Sequence, residues 1–403
     1  MLPGDMALPA AAAGGEIAAL LTDLFVVLLA AKLGDELFKR IHQPAIVGEI
    51  LAGVLVGPSL LGLVEPGEVL EVFAELGVVF LLFWVGLETR LSEMREVGGT
   101  AFGVGILGVV LPFVAGVGFA LAIGEGTATA VFVGVALVAT SVGITSAVLI
   151  ELGVLSGRAG RTILAAAVID DILAMLLLAV AVGLGEEAGF DVVGLVATLS
   201  LAVGFVLFFA LGGTQLLQRQ PRLLHTPRFS ESPLLPAVIL CLGLAAFAAH
   251  IGLAAIIGAF LAGLMVAETK EQHPIEDEIA PLYAFFPPFF FAFIGMEVEL
   301  GELADLETLA FLTALTALAG ATKYAGARLG ARSLGTDEAH VVGLGMVPRG
   351  EVGIIVAGLG TAAGVVGQQL FVVIVGMSVL TTLLIPPLLR RAVQRGVGGP
   401  PGP

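Results

Sequence analysis

Some thirteen apolar stretches follow one another along the 403 residues, at about 17–34, 44–63, 70–87, 97–123, 127–151, 162–184, 190–217, 233–249, 252–267, 281–299, 306–331, 339–364 and 368–391. Each approaches or exceeds the ~17 residues that a helix needs to cross a hydrocarbon core ~30 Å thick. Lipid offers no partner to a bare peptide group, so a chain in it must fold as helices or as a closed barrel. These stretches are apolar all round rather than at every second residue, which excludes a barrel. The expectation is an all-α polytopic membrane protein. Hydrophobic residues make up 58% and charged residues 13%, with mean hydropathy +1.06, which leaves no composition for a soluble domain.

The basic residues number the segments. Of the 18 Lys and Arg, 17 fall after or at the ends of odd-numbered segments, and only Arg349 lies well inside one. Loops after even segments hold Glu65, Glu68, Glu125, Glu186 and Glu187 instead. The positive-inside rule then places the N-terminus outside, the C-terminus in the cytoplasm and the protein as a multi-pass component of the plasma membrane. The net charge of −16 offers no basic face to nucleic acid. An acidic exterior suits a salt-loving host, and it equally follows from simple avoidance of outside Lys and Arg. A single cysteine, Cys241, excludes disulfides and thiolate metal sites. Residues 1–16 form a short outer segment, 17–391 the membrane unit, and 392–403 a disordered cytoplasmic tail.

Thirteen segments divide into two units of six, 1–6 and 8–13, joined by the seventh. The odd offset of seven turns the second unit upside down, as in inverted-repeat transporters. Under that offset segment 5 corresponds to segment 12, and both carry polar interruptions at their middles: ATSVGITSA (139–147) and MVPRGEVG (346–353). Pro348 removes a backbone donor, and Gly143, Gly350 and Gly353 loosen the helix, so both segments are expected to unwind near the midplane. Paired interruptions at corresponding positions point to a transporter's binding site. Ser, Thr and Gly also serve simple close packing of helices.

Asp170 and Asp171 stand side by side in segment 6, TILAAAVIDDILAMLLLAVAVGL. A carboxylate at the membrane centre costs roughly 2.5 kcal/mol or more, so both must face protein, water or an ion. Helical neighbours point about 100° apart, so one can line a cavity while the other meets an adjacent helix. With Thr140, Ser141, Thr145 and Ser146 of segment 5 they make an all-oxygen, net-negative site suited to Na⁺, K⁺, Li⁺ or protons. Competition of a metal ion and a proton for one carboxylate suffices for cation/proton exchange. No cofactor is implied beyond the transported ions.

Arg349 and Glu351 are expected to neutralise each other and the half-helix dipole ends. Glu49 either flanks the cytoplasmic approach or faces solvent at the lipid interface. Lys323 is placed toward the cytoplasmic half of segment 11, positioned to snorkel. Phe285–Phe293, FFPPFFFAF, reads as bulky packing around a proline bend.

PAIVGEILAGVLVGPSLLG, ATSVGITSAVLIELG, AAAVIDDILAML, FFFAFIGMEVEL and MVPRGEVGIIVAGLG closely resemble matching segments of the cation:proton antiporter-2 family. That family includes NapA-type Na⁺/H⁺ antiporters and the membrane part of Kef-type potassium systems. The resemblance implies an NhaA/NapA-like fold, with core helices at about 97–184 and 306–391, panel helices at about 17–87 and 233–299, and a linker helix at 190–217. It implies crossed broken helices, elevator-like alternating access and a homodimer formed through the panel. By it Asp171 is the principal ion and proton ligand, Asp170 the first carboxylate, and Thr140 and the neighbouring backbone assist.

Two departures follow. Kef-type proteins continue into a nucleotide-binding domain, and no such fused domain is expected here. Electrogenic members pair the first Asp with a Lys on helix 10, and segment 10 of this chain has no basic residue. The expectation is therefore electroneutral exchange, one cation for one proton. An intramembrane aspartyl protease needs its carboxylates on separate, facing helices, which adjacent Asp residues cannot satisfy. A channel-like sensor needs no proton-competent pair.

Overall fold

The computed structural model describes residues 7–41, 43–89, 91–185, 192–219, 234–267, 275–298 and 306–396. The helices run α1 (Ala7–Arg40), α2 (Ala45–Val56), α3 (Glu68–Leu87), α4 (Leu91–Ala122), α5 (Thr127–Val138), α6 (Val142–Glu151), α7 (Arg158–Gly185), α8 (Val192–Leu207) and α9 (Thr214–Arg219). They continue with α10 (Leu234–His250), α11 (Ala255–Ala267), α12 (Glu276–Phe285), α13 (Pro287–Met296), α14 (Leu306–Gly330), α15 (Thr336–Gly345), α16 (Glu351–Ala362) and α17 (Gln368–Gly396). Among the described residues there is no strand. A π-helical turn, Phe208–Gly213, joins α8 to α9.

Every apolar stretch read from the sequence carries helix, but besides 190–217, which the π-helical turn interrupts, three more are not single helices. Stretches 127–151 and 339–364 are each split in two at their polar interruptions, and 281–299 is split between α12 and α13. At this last division Phe286 ends one helix and Pro287 and Pro288 begin the next. Pro lacks the N–H that would continue the ladder, and Pro at N1 suits a new start. Phe73, Phe285, Phe286 and Phe289 pack around that bend, with centroids 5.1 Å apart for Phe73 and Phe289. Six described spans are apolar and long enough to cross a membrane. Helix α2, with 12 residues, rises only about 18 Å and is shorter than a full crossing.

The helices pack as two bundles. Helices α1, α2, α3 and α10–α13 make the first, and α4–α7 with α14–α17 make the second. The α8–α9 segment runs from α7 to α11 and so bridges them. The bundles meet along a seam where α6 touches α2 and α3, and α17 touches α2. Helix α14 lies along α4 because Gly326 and Gly330 present no side chain there. A Cβ on Gly326 would stand 2.3 Å from the Leu107 carbonyl oxygen, and one on Gly330 would stand 2.4 Å from Val104 N. That approach fixes the depth at which α14 delivers Lys323 to the second bundle. Helix α1 leaves Leu21, Phe25, Leu29 and Leu33 exposed along one side, the composition of a lipid-facing surface.

Candidate ion-binding site

The two interrupted stretches meet at their breaks. Helix α5 ends at Val138, and Ala139 (φ −50°, ψ 135°) turns the chain out of helix before α6 begins at Val142. Helix α15 ends at Gly345, and the chain runs through Pro348 to Gly350 before α16 begins at Glu351. A broken helix in lipid must satisfy its freed peptide groups from protein, and each break serves the other. Ser141 N donates to the Pro348 carbonyl at 2.8 Å. Thr145 Oγ1 donates to the Gly345 carbonyl at 2.6 Å, and Thr140 Oγ1 to that of Met346 at 3.3 Å. Gly350 permits the contact, since a Cβ on it would lie 2.7 Å from Ser141 Oγ.

This geometry changes the roles expected of several residues. The hydroxyl protons of Thr140 and Thr145 are committed to the C-terminal carbonyls of α15, so these side chains cap the facing half-helix. Gly143 lies inside α6 rather than at the break, where a Cβ would reach ordinary contact with Leu81 and Val78 of α3. Gly353 is likewise within α16, close against Ser378 Oγ. The unwinding at 139–141 therefore occurs without a glycine or a proline; buried cations stabilise it instead.

Arg349 is fully buried, and its Nη1 donates to the Ala139 carbonyl at 2.7 Å. Its own backbone is held by Thr381 at N (3.1 Å) and Thr382 at O (2.5 Å). The guanidinium therefore sits at the negative, C-terminal end of α5, the other broken helix, where a cation is stabilised. The expected mutual neutralisation with Glu351 falls outside the described residues, because that side chain is not among them.

Lys323 overturns its expectation. It does not snorkel: it is fully buried, and its Nζ donates to Asp170 Oδ1 at 2.5 Å and to the Val138 carbonyl at 2.7 Å. An ammonium whose stem is enclosed by α4 and α14 cannot reach an interface, and the nearest negative charge is the carboxylate on α7. The premise of the electroneutral expectation, that nothing titratable faces Asp170, is thereby removed. The base lies on α14, one apolar stretch later than segment 10. Asp170 is itself wholly buried, and its Oδ2 has no hydrogen-bond partner.

Asp171 turns the other way. It is 7% exposed and lines a cleft of about 20 Å³ between Leu164, Ala167 and Val168 of α7, Val142 of α6, Leu82 of α3, and Ile256 and Phe260 of α11. That volume holds about one water or a small ion. The two carboxylates are thus divided: Asp170 faces the interior of the second bundle, and Asp171 the seam. Glu49 belongs to neither group. It is buried between α1 and α2, 3.8 Å from Lys32 Nζ, so it is not a solvated interfacial residue.

On the acidic side of the seam a cavity of about 750 Å³ runs between α3, α11, α13 and α16, bordered by Glu68, Glu71, Glu75 and Glu297. Ile256 lines both this cavity and the Asp171 cleft. On the basic side the bundles are tied together. Glu151, at the end of α6, accepts from Ala45 N at the start of α2 (2.9 Å) and from Arg390 of α17 (3.3 Å).

The family model described as "Sodium/hydrogen exchanger, transmembrane" matches residues 24–394. The chain belongs to this exchanger family. It is 38% identical over 368 residues to the Na⁺/H⁺-K⁺ antiporter GerN of Bacillus cereus, covering 91% of this chain and 94% of that protein. It is 35% identical to the high-affinity Na⁺/H⁺ antiporter NhaS3 of Synechocystis, covering 94% and 90%. The structure of the sodium proton antiporter MjNhaP1 from Methanocaldococcus jannaschii superposes with a TM-score of 0.67 over 95% of this chain and 99% of that one. At 16% identity this likeness shows that the exchanger shares that fold. Within the exchanger's matched region fall both broken helices, the Asp pair, Lys323 and Arg349.

Proposed function

We propose that this protein exchanges a monovalent cation for protons across the plasma membrane, with ion and proton competing for Asp171. The observation that carries the reading is the division of the two carboxylates. Asp171 sits on the seam next to a cavity, while Asp170 is neutralised inside by Lys323. A carboxylate at membrane depth is stabilised by a counter-charge, and a metal ion or a proton supplies it equally well. Relatives named as Na⁺/H⁺ antiporters, one of them Na⁺/H⁺-K⁺, agree with this chemistry. Oxygen ligands accept both Na⁺ and K⁺, so the substrate class is the monovalent cation.

The two bundles serve as the panel and the moving core of an elevator, with the panel also forming a homodimer. The acidic cavity would be the outer entrance, since the basic loops mark the cytoplasmic side. Its carboxylates raise the local cation concentration, an effect that weakens as ionic strength rises. The core carries Asp171 past the panel, and exchange stays coupled because only a loaded, charge-compensated site crosses. The thirteen stretches then act as thirteen crossings in two inverted units. Reconstituted vesicles with an imposed pH gradient test the function. Na⁺, K⁺ or Li⁺ added to them should each be screened for proton movement, and at least one should dissipate the gradient. If none does so at any pH between 6 and 9, the reading fails.

The tie at Glu151 must open when the cytoplasmic side opens. Losing one hydrogen bond shifts a two-state balance about fivefold per kcal/mol. Glu151→Gln should therefore favour the cytoplasm-open state. A cysteine placed at Ala167 and probed with an impermeant thiol reagent from the cytoplasmic side should label about fivefold faster in this variant. Unchanged labelling would show that Glu151 does not hold the seam.

A further inference from the structure

At the basic end of the second bundle, α15 and α17 diverge and leave a cavity of about 420 Å³, lined by Asp337, His340, Leu344, Leu388, Arg391 and Arg395. It is far from the ion site in role, and nothing in the exchange chemistry uses it. Its walls are built in two halves.

The first half is apolar. Leu384 and Leu388, one turn apart on α17, are both exposed, as lipid-facing residues are. Arg391 and Arg395 follow Leu388 at three and seven residues, so they continue the same side of the helix. One helix side thus passes from hydrocarbon-facing leucines to two guanidinium groups within about two turns.

The second half is an oriented donor set. Arg328 Nη1 donates to Tyr324 Oη at 2.7 Å, and Arg328 Cζ lies 5.6 Å from that ring's centroid. Tyr324 Oη lies 2.8 Å from His340 Nδ1, a hydrogen bond that the hydroxyl can donate. Nε2 is then the nitrogen that carries the imidazole hydrogen in the neutral ring. Helix α15 begins at Thr336, so its free N–H groups open toward the same end. Two guanidinium groups and an imidazole donor outnumber the single Asp337 carboxylate. Guanidinium forks match phosphate oxygens two at a time.

We propose that this cavity binds the phosphate headgroup of an anionic phospholipid from the cytoplasmic leaflet, with an acyl chain lying along Leu384 and Leu388. Basic pockets between helices on that side suit such headgroups. A free phosphate ion would satisfy the arginines alone and leave the leucine wall without a role.

The test uses the full chain, purified in detergent and depleted of lipid, with phosphatidylglycerol, phosphatidylcholine or inorganic phosphate added back. Native mass spectrometry reads retained lipid, and thermal melting reads stabilisation. Phosphatidylglycerol should be retained and should raise the melting temperature, whereas phosphatidylcholine and inorganic phosphate should do neither. The double variant Arg391→Gln/Arg395→Gln should hold phosphatidylglycerol about 30-fold more weakly. Leu388→Ser should weaken retention while leaving both arginines in place. The proposal is overturned if the double variant retains phosphatidylglycerol as the parent does, or if phosphatidylcholine is retained equally. Stabilisation by inorganic phosphate that Leu388→Ser does not alter would assign the cavity to a soluble anion instead.

Discussion

Asp171→Asn should fold, pack and melt like the parent, yet release no protons when a cation is added. The amide has the shape of the carboxylate but neither its charge nor its proton, so it can balance neither cargo. Stability is preserved because the substitution removes a charge from a nearly buried position, and the cleft it lines is otherwise apolar apart from Asp171 itself. Transport in reconstituted vesicles should fall at least about tenfold, in keeping with the loss of the one charged side chain that lines the cleft among the described residues. Cation-induced stabilisation of the purified protein should disappear with it. Activity above that level would move the exchange site away from Asp171, and the seam geometry would then describe packing alone.

The second large effect concerns Lys323. With Asp170, Asp171, Lys323 and Arg349 all ionised, their charges sum to zero, and a bound monovalent cation adds one. The site can shed that charge by releasing the lysine's proton once the cation takes over the attraction of the carboxylates. In the proton-loaded state Asp171 carries a further proton, which leaves before the cation binds, so two protons should move per cation and the exchange should be electrogenic. Arg349 cannot share this task, because guanidinium does not deprotonate in proteins. A sustained current should therefore appear on solid-supported membranes under a cation gradient. Lys323→Arg should abolish that current while keeping the ion pair with Asp170. Lys323→Gln should do the same and should also reduce stability by roughly 3–5 kcal/mol, since it leaves Asp170 buried without its partner. Asp170→Asn added to Lys323→Gln should restore most of that loss, as a double-mutant cycle would register. Parent-like currents in Lys323→Arg would show that the lysine's proton takes no part. A parent protein with no current would return the exchange to one cation for one proton.

Much of this arrangement can be read along the chain. The breaks fall at 139–141 and 346–350 because polar residues, and in one case Pro348, stand where a crossing helix should be apolar. The Asp pair declares a site because no lipid-facing helix tolerates two adjacent carboxylates. Both signals are local, and hydropathy and backbone chemistry are local properties. The proline bend at Phe286 belongs to the same class.

What the chain by itself determined, then, is a helical membrane protein with two interrupted helices and a carboxylate pair at mid-depth. These features follow from the price of an unpaired charge or peptide group in lipid, which each segment meets alone. Tertiary structure decided which partner satisfied each one. Lys323 meets Asp170 across 153 residues, and Arg349 caps a helix end 210 residues away. A buried lysine and a snorkelling lysine have the same neighbours in sequence, so only the close packing of α14 on α4, made possible by Gly326 and Gly330, settled which this one is. In the same way, the 100° between adjacent side chains requires Asp170 and Asp171 to face apart. The placement of α14 on one side and the seam with α3 and α11 on the other determined that the first carboxylate meets Lys323 and the second lines the cleft.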